Sequence, residues 1–181
     1  MVYVFLADGF EEIEALSPVD ILRRGGITVK TVGVGSKKVT GSHGITVTCD
    51  LSEDKVATQD IDAVILPGGM PGTVNLEKSE VVNSTIEYAL KNGLLIAAIC
   101  AAPSILGKKG VLSGKSATCF PGFEQYLTGA RILDLPVVRD GQIITACGAG
   151  AALEFGFTLL EALKDKATAN SLRRGMKYIT V

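Results

Sequence analysis

Val2-Tyr3-Val4-Phe5-Leu6-Ala7-Asp8-Gly9 is an apolar run stopped abruptly by an acid and a glycine. Apolar side chains in succession, rather than in alternation, mark a strand covered on both faces, the habit of a parallel sheet. A helical stretch follows from about Phe10 to Arg24 and halts at Gly25-Gly26, a natural helix stop. Ile27 to Val34 reads as the next strand, so the chain opens β-α-β. Thr40 to Cys49 alternates around Gly41 and Gly44 and predicts a small hairpin or edge excursion.

The same rhythm continues outward. Asp62 to Leu66 is a buried strand closed by Pro67-Gly68-Gly69, Glu80 to Asn92 an amphipathic helix ended by Gly93, and Leu94 to Ile99 another strand. Ala101 opens a short helix, and Lys115 to Thr118 leads to a break at Pro121-Gly122. Val137 to Arg139 and Gln142 to Ala146 flank an Asp140-Gly141 turn, before helices over Gly150 to Leu163 and Lys166 to Arg174. Strands alternating with helices predict an α/β fold: a doubly wound, mostly parallel sheet sandwiched by helices. With no repeat, low-complexity tract or linker, residues 1–181 read as one domain.

Composition narrows the function. The chain has 181 residues, 47% hydrophobic and 20% charged, with a formal net charge of -1, as expected of an ordinary globular domain. No basic run exceeds a pair, and phosphate backbones need clustered Lys and Arg, so no nucleic-acid partner is expected. The first strand lacks a basic leader and does not read as a signal peptide. No apolar run approaches the roughly 20 residues of a membrane span. Four cysteines (Cys49, Cys100, Cys119, Cys147) stand far apart and there is one histidine, His43, so neither a disulfide framework nor a metal site is expected. The expectation is a cytoplasmic protein with reduced thiols.

In an open α/β sheet, ligands bind beyond the carboxyl ends of the strands. Three strand ends carry unusual residues: Asp8 to Glu14, Pro67 to Gly72 and Ala98 to Pro103. Cys100 sits between strand and helix with Ala98 and Ala102 either side, small enough for the sharp turn of a nucleophile elbow. A thiol at a helix N-terminus faces unpaired N–H groups, which favour thiolate. Gly68-Gly69 lets the backbone approach a ligand and supplies N–H groups suited to an oxyanion, or is simply a tight loop. Glu11 and Glu12 read as first-turn acids favoured by the helix dipole. Glu14 falls at the seam between two apolar stripes, one of Phe10, Ile13 and Ile21, the other of Ala15, Val19 and Leu22. Burial there would raise its pKa and keep it protonated, able to donate to a thiolate or relay a proton. Two stripes on one helix predict cover on two sides, by the sheet and by a second subunit.

Taken together, these segments resemble the ThiJ/PfpI family, the family of the parkinsonism-associated protein DJ-one, within the glutamine-amidotransferase-like folds. The matching words are Asp8 to Glu14, Pro18-Val19-Asp20 with Arg23 to Gly26, Leu66 to Gly69, Ala97 to Pro103, Thr118 to Pro121, Gly148-Ala149-Gly150 and Glu154-Phe155. The resemblance implies a flavodoxin-like sandwich and a homodimer through the first helix. It implies Cys100 as the reactive cysteine, Glu14 as its acid partner, Gly69 and Ala101 as backbone donors, and Arg24, Cys119 and Phe120 as further pocket candidates. Many relatives carry a histidine where this chain has Phe120, and His43 is expected on the surface or at an interface. Without a histidine base a Cys-His peptidase is disfavoured. Cys119 reads as a packed small residue, with a resolving thiol as the alternative.

Three functions follow from that reading. One is a cofactor-independent, glyoxalase- or deglycase-like activity of Cys100 and Glu14 on small reactive carbonyls, as part of a stress response. Another is a redox sensor whose Cys100 is oxidised to sulfinic acid. A third is a chaperone-like module. Family links to thiazole metabolism and peptidase activity rank below these, and no G-x-x-x-x-G-K phosphate cradle supports a nucleotide-driven step.

Overall fold

The computed structural model describes residues Met1–Tyr178. In chain order the elements are β1 (Val2–Leu6), α1 (Glu12–Arg24), β2 (Val29–Gly33), β3 (Lys38–Thr40), β4 (Thr46–Thr48), β5 (Leu51–Ser52), β6 (Ala63–Leu66), α2 (Gly72–Lys78) and α3 (Glu80–Lys91). They continue with β7 (Leu95–Ile99), α4 (Pro103–Lys108), β8 (Ser116–Ala117), β9 (Arg131–Ile132), β10 (Val137–Asp140), β11 (Ile143–Ala146), α5 (Ala152–Leu163) and α6 (Lys166–Gly175).

The main sheet runs β10-β11-β7-β6-β1-β2-β5, parallel except for the antiparallel β10–β11 pair. Its central five strands follow the flavodoxin-like order, and the order in which strands are added switches from one side of β1 to the other between β2 and β6, leaving a crevice between β1 and β6. Every residue of β1, β6 and β7 is buried, as their unbroken apolar runs require. Their pleats divide the core into two layers. Val2, Val4, Leu6, Ile65, Ala97 and Ile99 face one layer with Phe155 and Leu159 of α5. Tyr3, Phe5, Val64, Leu66, Ile96 and Ala98 face the other with Val82 and Ile86 of α3.

The hairpin expected over Thr40 to Cys49 is the β3–β4 pair. The β5 strand and the β8–β9 pair carry no sequence signal because two residues are too few to show a period. Helix α2 opens on Gly72 behind Pro71, a poor helical start that hides it. The α1 stripes meet a different fate from the one expected. Ala15, Val19, Ile21 and Leu22 are all buried, and the second side is covered by α5 of the same chain, packed so closely that a Cβ on Gly156 would lie 2.7 Å from Ile21 Cδ1. Only Ile13, 54% exposed, is left over.

Candidate functional site

The site lies where the carboxyl ends of β1, β6 and β7 meet, beside the reversal of strand order. Glu14 stands in the first turn of α1 and is 1% exposed. Its Oε2 accepts a hydrogen bond from the Gly68 amide at 2.9 Å. A Cβ at residue 68 would lie 2.6 Å from that carboxylate oxygen and 2.7 Å from Cys100 Cβ, so glycine here is what lets the acid and the cysteine meet. Gly69 has φ +88°, and a Cβ on it would fall 2.4 Å from the Glu11 amide nitrogen.

Cys100 has φ +64°, a left-handed conformation that costs a non-glycine residue roughly 1–3 kcal/mol. The end of β11 and the loop after β8 hold it there: its amide donates to the Ala146 carbonyl and its carbonyl accepts from the Phe120 amide, each at 2.9 Å. The turn also redirects the side chain. Strand alternation would send residue 100 to the layer opposite Ile99, yet Cys100 packs against the same layer as Ile99, on the side of α1. There its thiol hydrogen-bonds the Glu14 carboxyl, and the amides of Ala101 and Gly69 point at the sulfur.

Electrostatics correct one expectation. Helix α4 begins three residues after Cys100 and is only six residues long, so it supplies little dipole. Burial pushes the Cys100 thiol up to about 12, an ionised Glu14 adds to this through its charge and hydrogen bond, and the two amides pull weakly the other way. Burial likewise raises Glu14 to about 7, against hydrogen bonds from Cys100 and Gly68. The turn alone therefore does not yield a thiolate. The pair holds two protons in acid and one above about 7, and thiolate character requires that remaining proton to sit on Glu14.

The other candidate residues divide. The Gly68 amide is spent on Glu14, so it positions the acid and is not a free oxyanion donor. Arg24 lies ten residues beyond Glu14, about 15 Å along the helix, and pairs with Asp20 at 2.6 Å; it takes no part in this pocket. Phe120 and Cys119 line a neighbouring cavity of about 640 Å³, together with Pro121, Ile132, Cys147 and Gly148, whose walls include neither Cys100 nor Glu14. The Phe120 ring is 48% exposed and sits over Gly148. Cys119 is buried in the α3 layer, on the other side of the sheet from Cys100. The residue that sequence reading overlooked is Cys147, which lies just before the Gly148-Ala149-Gly150 segment and gains its place beside Cys100 from the β11–β7 pairing.

Glu12 is also more than a dipole acid. It is 4% exposed and accepts hydrogen bonds from the His43 amide at 2.9 Å, the Ile45 amide at 3.3 Å and His43 Nδ1 at 3.1 Å, pinning the β3–β4 hairpin to α1. With Glu11 Oε2 at 3.3 Å from the same ring nitrogen, the three side chains place ligand atoms within 4.8 Å of one another, a grouping no sequence spacing announced. Burial alone would raise the Glu12 carboxyl, but its hydrogen bonds outweigh it and hold it below 4.5. The hydrogen bond to Glu12 and the charges of Glu11 and Glu12 raise His43 above 6.5. The stabilisation from Glu12 is present above its unfolded value near 4.5 and lost as pH falls through its lower folded value. That from His43 is complete below 6.5 and lost as pH rises through its higher folded value. Protection of hairpin amides from exchange is therefore expected to be greatest between those limits and to decline on the alkaline side. In His43→Ala the alkaline decline should vanish; an unchanged decline would show that the ion pair is idle.

Among the described residues no helix is long and apolar enough to cross a membrane. Residues 1–162 match the DJ-1/PfpI family. Protein dj-1beta of Drosophila melanogaster is 39% identical over 96% of this chain and 94% of its own length; its crystal structure superposes with a TM-score of 0.94, covering 99% of this chain and 98% of that one at 37% identity. Oxidized Toxoplasma gondii DJ-1 gives a TM-score of 0.94 at 32% identity, covering 99% of this chain and 98% of that one. The glutathione-independent glyoxalase DJR-1.2 of Caenorhabditis elegans is 34% identical over 90% of this chain and 87% of its own length. With a match across most of its length, a shared flavodoxin-like sheet and relatives above 30% identity end to end, the chain belongs to the DJ-1/PfpI family.

Proposed function

We propose that this protein is a cysteine-dependent enzyme for small reactive carbonyls, of the glyoxalase or deglycase kind, acting in a reducing compartment such as the cytoplasm. The observation that carries the reading is the contact between a buried Glu14 titrating near 7 and the Cys100 thiol. A general acid-base group works best when its pKa lies near the working pH. The named glyoxalase among its relatives supports the same reading.

For methylglyoxal, the Cys100 sulfur adds to the aldehyde carbon and the Ala101 and Gly69 amides receive the oxyanion, which is then protonated to a hemithioacetal. Glu14 removes the proton from that carbon, giving an enediol, and returns it to the adjacent carbon, leaving a thioester. Water cleaves the thioester to a hydroxy acid and frees the thiol. Every step is an addition, a proton transfer or a hydrolysis, and the chemistry asks for no cofactor. The test is hydroxy-acid formation from methylglyoxal by purified protein without glutathione; no product above the buffer blank would overturn the reading.

A second reading, a redox sensor, is favoured by the same acid lying against a half-buried thiol, since a carboxylic acid hydrogen-bonds well to an oxidised sulfur. The family also leads us to propose a homodimer. Ile13 and Ile45, each 54% exposed, and Leu153, 40% exposed, lie on or beside the α1–α5 face, and apolar surface of this kind is what a subunit would cover. Sedimentation is expected to give a dimer, and Ile13→Glu a monomer. A wild-type monomer at micromolar concentration would contradict it.

A further inference from the structure

We propose that Cys147 is a resolving thiol for Cys100, so that oxidation by a peroxide is captured as a reversible Cys100–Cys147 disulfide. The inference rests on the reactivity of Cys100 assigned above, but not on any carbonyl chemistry. Strands β7 and β11 are parallel neighbours whose last paired residues are Ile99 and Ala146. The Cys100 amide still bonds the Ala146 carbonyl at 2.9 Å. Cys100 and Cys147 thus each follow directly on one member of the last residue pair of adjoining strands; paired strands lie about 4.8 Å apart, and a disulfide spans roughly 4.4–6.8 Å between Cα atoms.

Side-chain direction agrees. Ile144 and Ala146 face the α1–α5 layer, and Ile143 the other, so continued alternation would carry residue 147 away from α1. The strand instead ends at Ala146 and the Cys147 amide turns to the Pro136 carbonyl at 3.0 Å. Cys147 consequently packs on the α1–α5 layer, as Cys100 does through its left-handed turn. Two independent departures from the pleat bring both thiols to one side. Of the four cysteines these two are the half-buried ones, whereas Cys49 and Cys119 are buried. Cys147 also lines the cavity beside Phe120, which leaves its thiol open to a reductant.

The chemistry balances. The Cys100 sulfur attacks one peroxide oxygen, the O–O bond breaks, sulfur loses two electrons and becomes sulfenic acid, and the other oxygen leaves as water or alcohol. The Cys147 sulfur then attacks the Cys100 sulfur. An S–S bond forms, the S–O bond breaks, and the hydroxyl departs as water with the thiol proton. A dithiol reverses the step.

The test is peptide mass mapping of the intact protein after graded hydrogen peroxide and thiol blocking. A cross-linked pair of peptides carrying Cys100 and Cys147, lighter by two hydrogens and released by dithiothreitol, is expected. In Cys147→Ser the Cys100 peptide should instead gain two oxygens and resist dithiothreitol. Wild-type Cys100 passing to the sulfinic state while Cys147 remains blockable, or cross-linking to Cys119, would overturn the proposal. Because the readout is covalent mass, it holds whether or not the protein turns over methylglyoxal.

Discussion

Glu14→Gln is expected to lower the rate of hydroxy-acid formation by about 10²–10⁴-fold, the range for loss of a positioned acid-base group. Glutamine keeps the shape and can still accept the Gly68 amide bond of 2.9 Å, so the loss measures proton transfer more than collapse. The pH profile carries the sharper information. Raised by burial to about 7, Glu14 holds its proton in acid, and the active one-proton form of the pair accumulates as pH climbs through that value. In wild type kcat/KM should therefore rise through an apparent pKa of about 7 and then level. In Glu14→Gln the charge of Glu14 can no longer oppose ionisation of Cys100, but burial, the largest cause of its shift, remains. Its rising limb should move to higher pH. A profile identical to wild type would remove Glu14 from the mechanism, and full activity in Cys100→Ser would remove the thiol.

The same raised value has a cost in stability. Glu14 moves from 4.5 in the free chain to about 7 when folded, and each unit corresponds to about 1.4 kcal/mol. A group with a raised folded pKa favours folding fully below its unfolded value and loses that contribution as pH rises through the folded one. Ionising Glu14 in place is thus worth about 3 kcal/mol against the fold. It is tolerated because the carboxylate has the Gly68 amide and the Cys100 thiol to accept from.

Much of this was legible in the chain because the relevant physics is local. Unbroken apolar runs in β1, β6 and β7 announce a sheet covered on both faces, and that sheet puts its strand ends together. Ala98 and Ala102 mark a tight turn at Cys100, though not its left-handed sense, which comes from the grip of Ala146 and Phe120 on the backbone. Contacts set by long-range pairing were opaque. The Gly68 amide and Glu14 are separated by 54 residues, so nothing nearby shows that one donor is already committed. Glu12 resembles any first-turn acid until the hairpin 31 residues on folds back onto it. Arg24 belongs to a recognisable run of residues, yet the rise of a helix carries it away from the pocket. Cys147 stands just outside the Gly148-Ala149-Gly150 segment, and only strand register sets it beside Cys100.

Gly68→Ala is expected to be the most damaging change that removes no reactive group. Its Cβ would lie 2.6 Å from Glu14 Oε2, 2.7 Å from Cys100 Cβ and 2.9 Å from the Ile99 carbonyl oxygen. The carboxylate can swing aside, but Cys100 Cβ is fixed by a left-handed backbone between two hydrogen bonds, and the Ile99 oxygen belongs to a central strand. Relief must come from Glu14, by breaking its bonds to Gly68 and Cys100, or from the β6 loop, which is held by the Glu11 amide donating to the Gly68 carbonyl at 2.9 Å. Overpacking of this kind costs about 1–3 kcal/mol of stability, readable as a lower urea midpoint. A shift of about 1 Å between reacting groups costs on the order of 10²-fold in rate, so turnover should fall by at least that factor although Cys100 and Glu14 are both present. If burial and contact between those two side chains are what make the pair reactive, the variant should also lose the kinetic pKa of about 7, since a displaced Glu14 reaches solvent and titrates nearer 4.5. A destabilised variant that kept both its rate and that pKa would mean the pair works without the close fit at Gly68, and would separate the packing of the site from its chemistry.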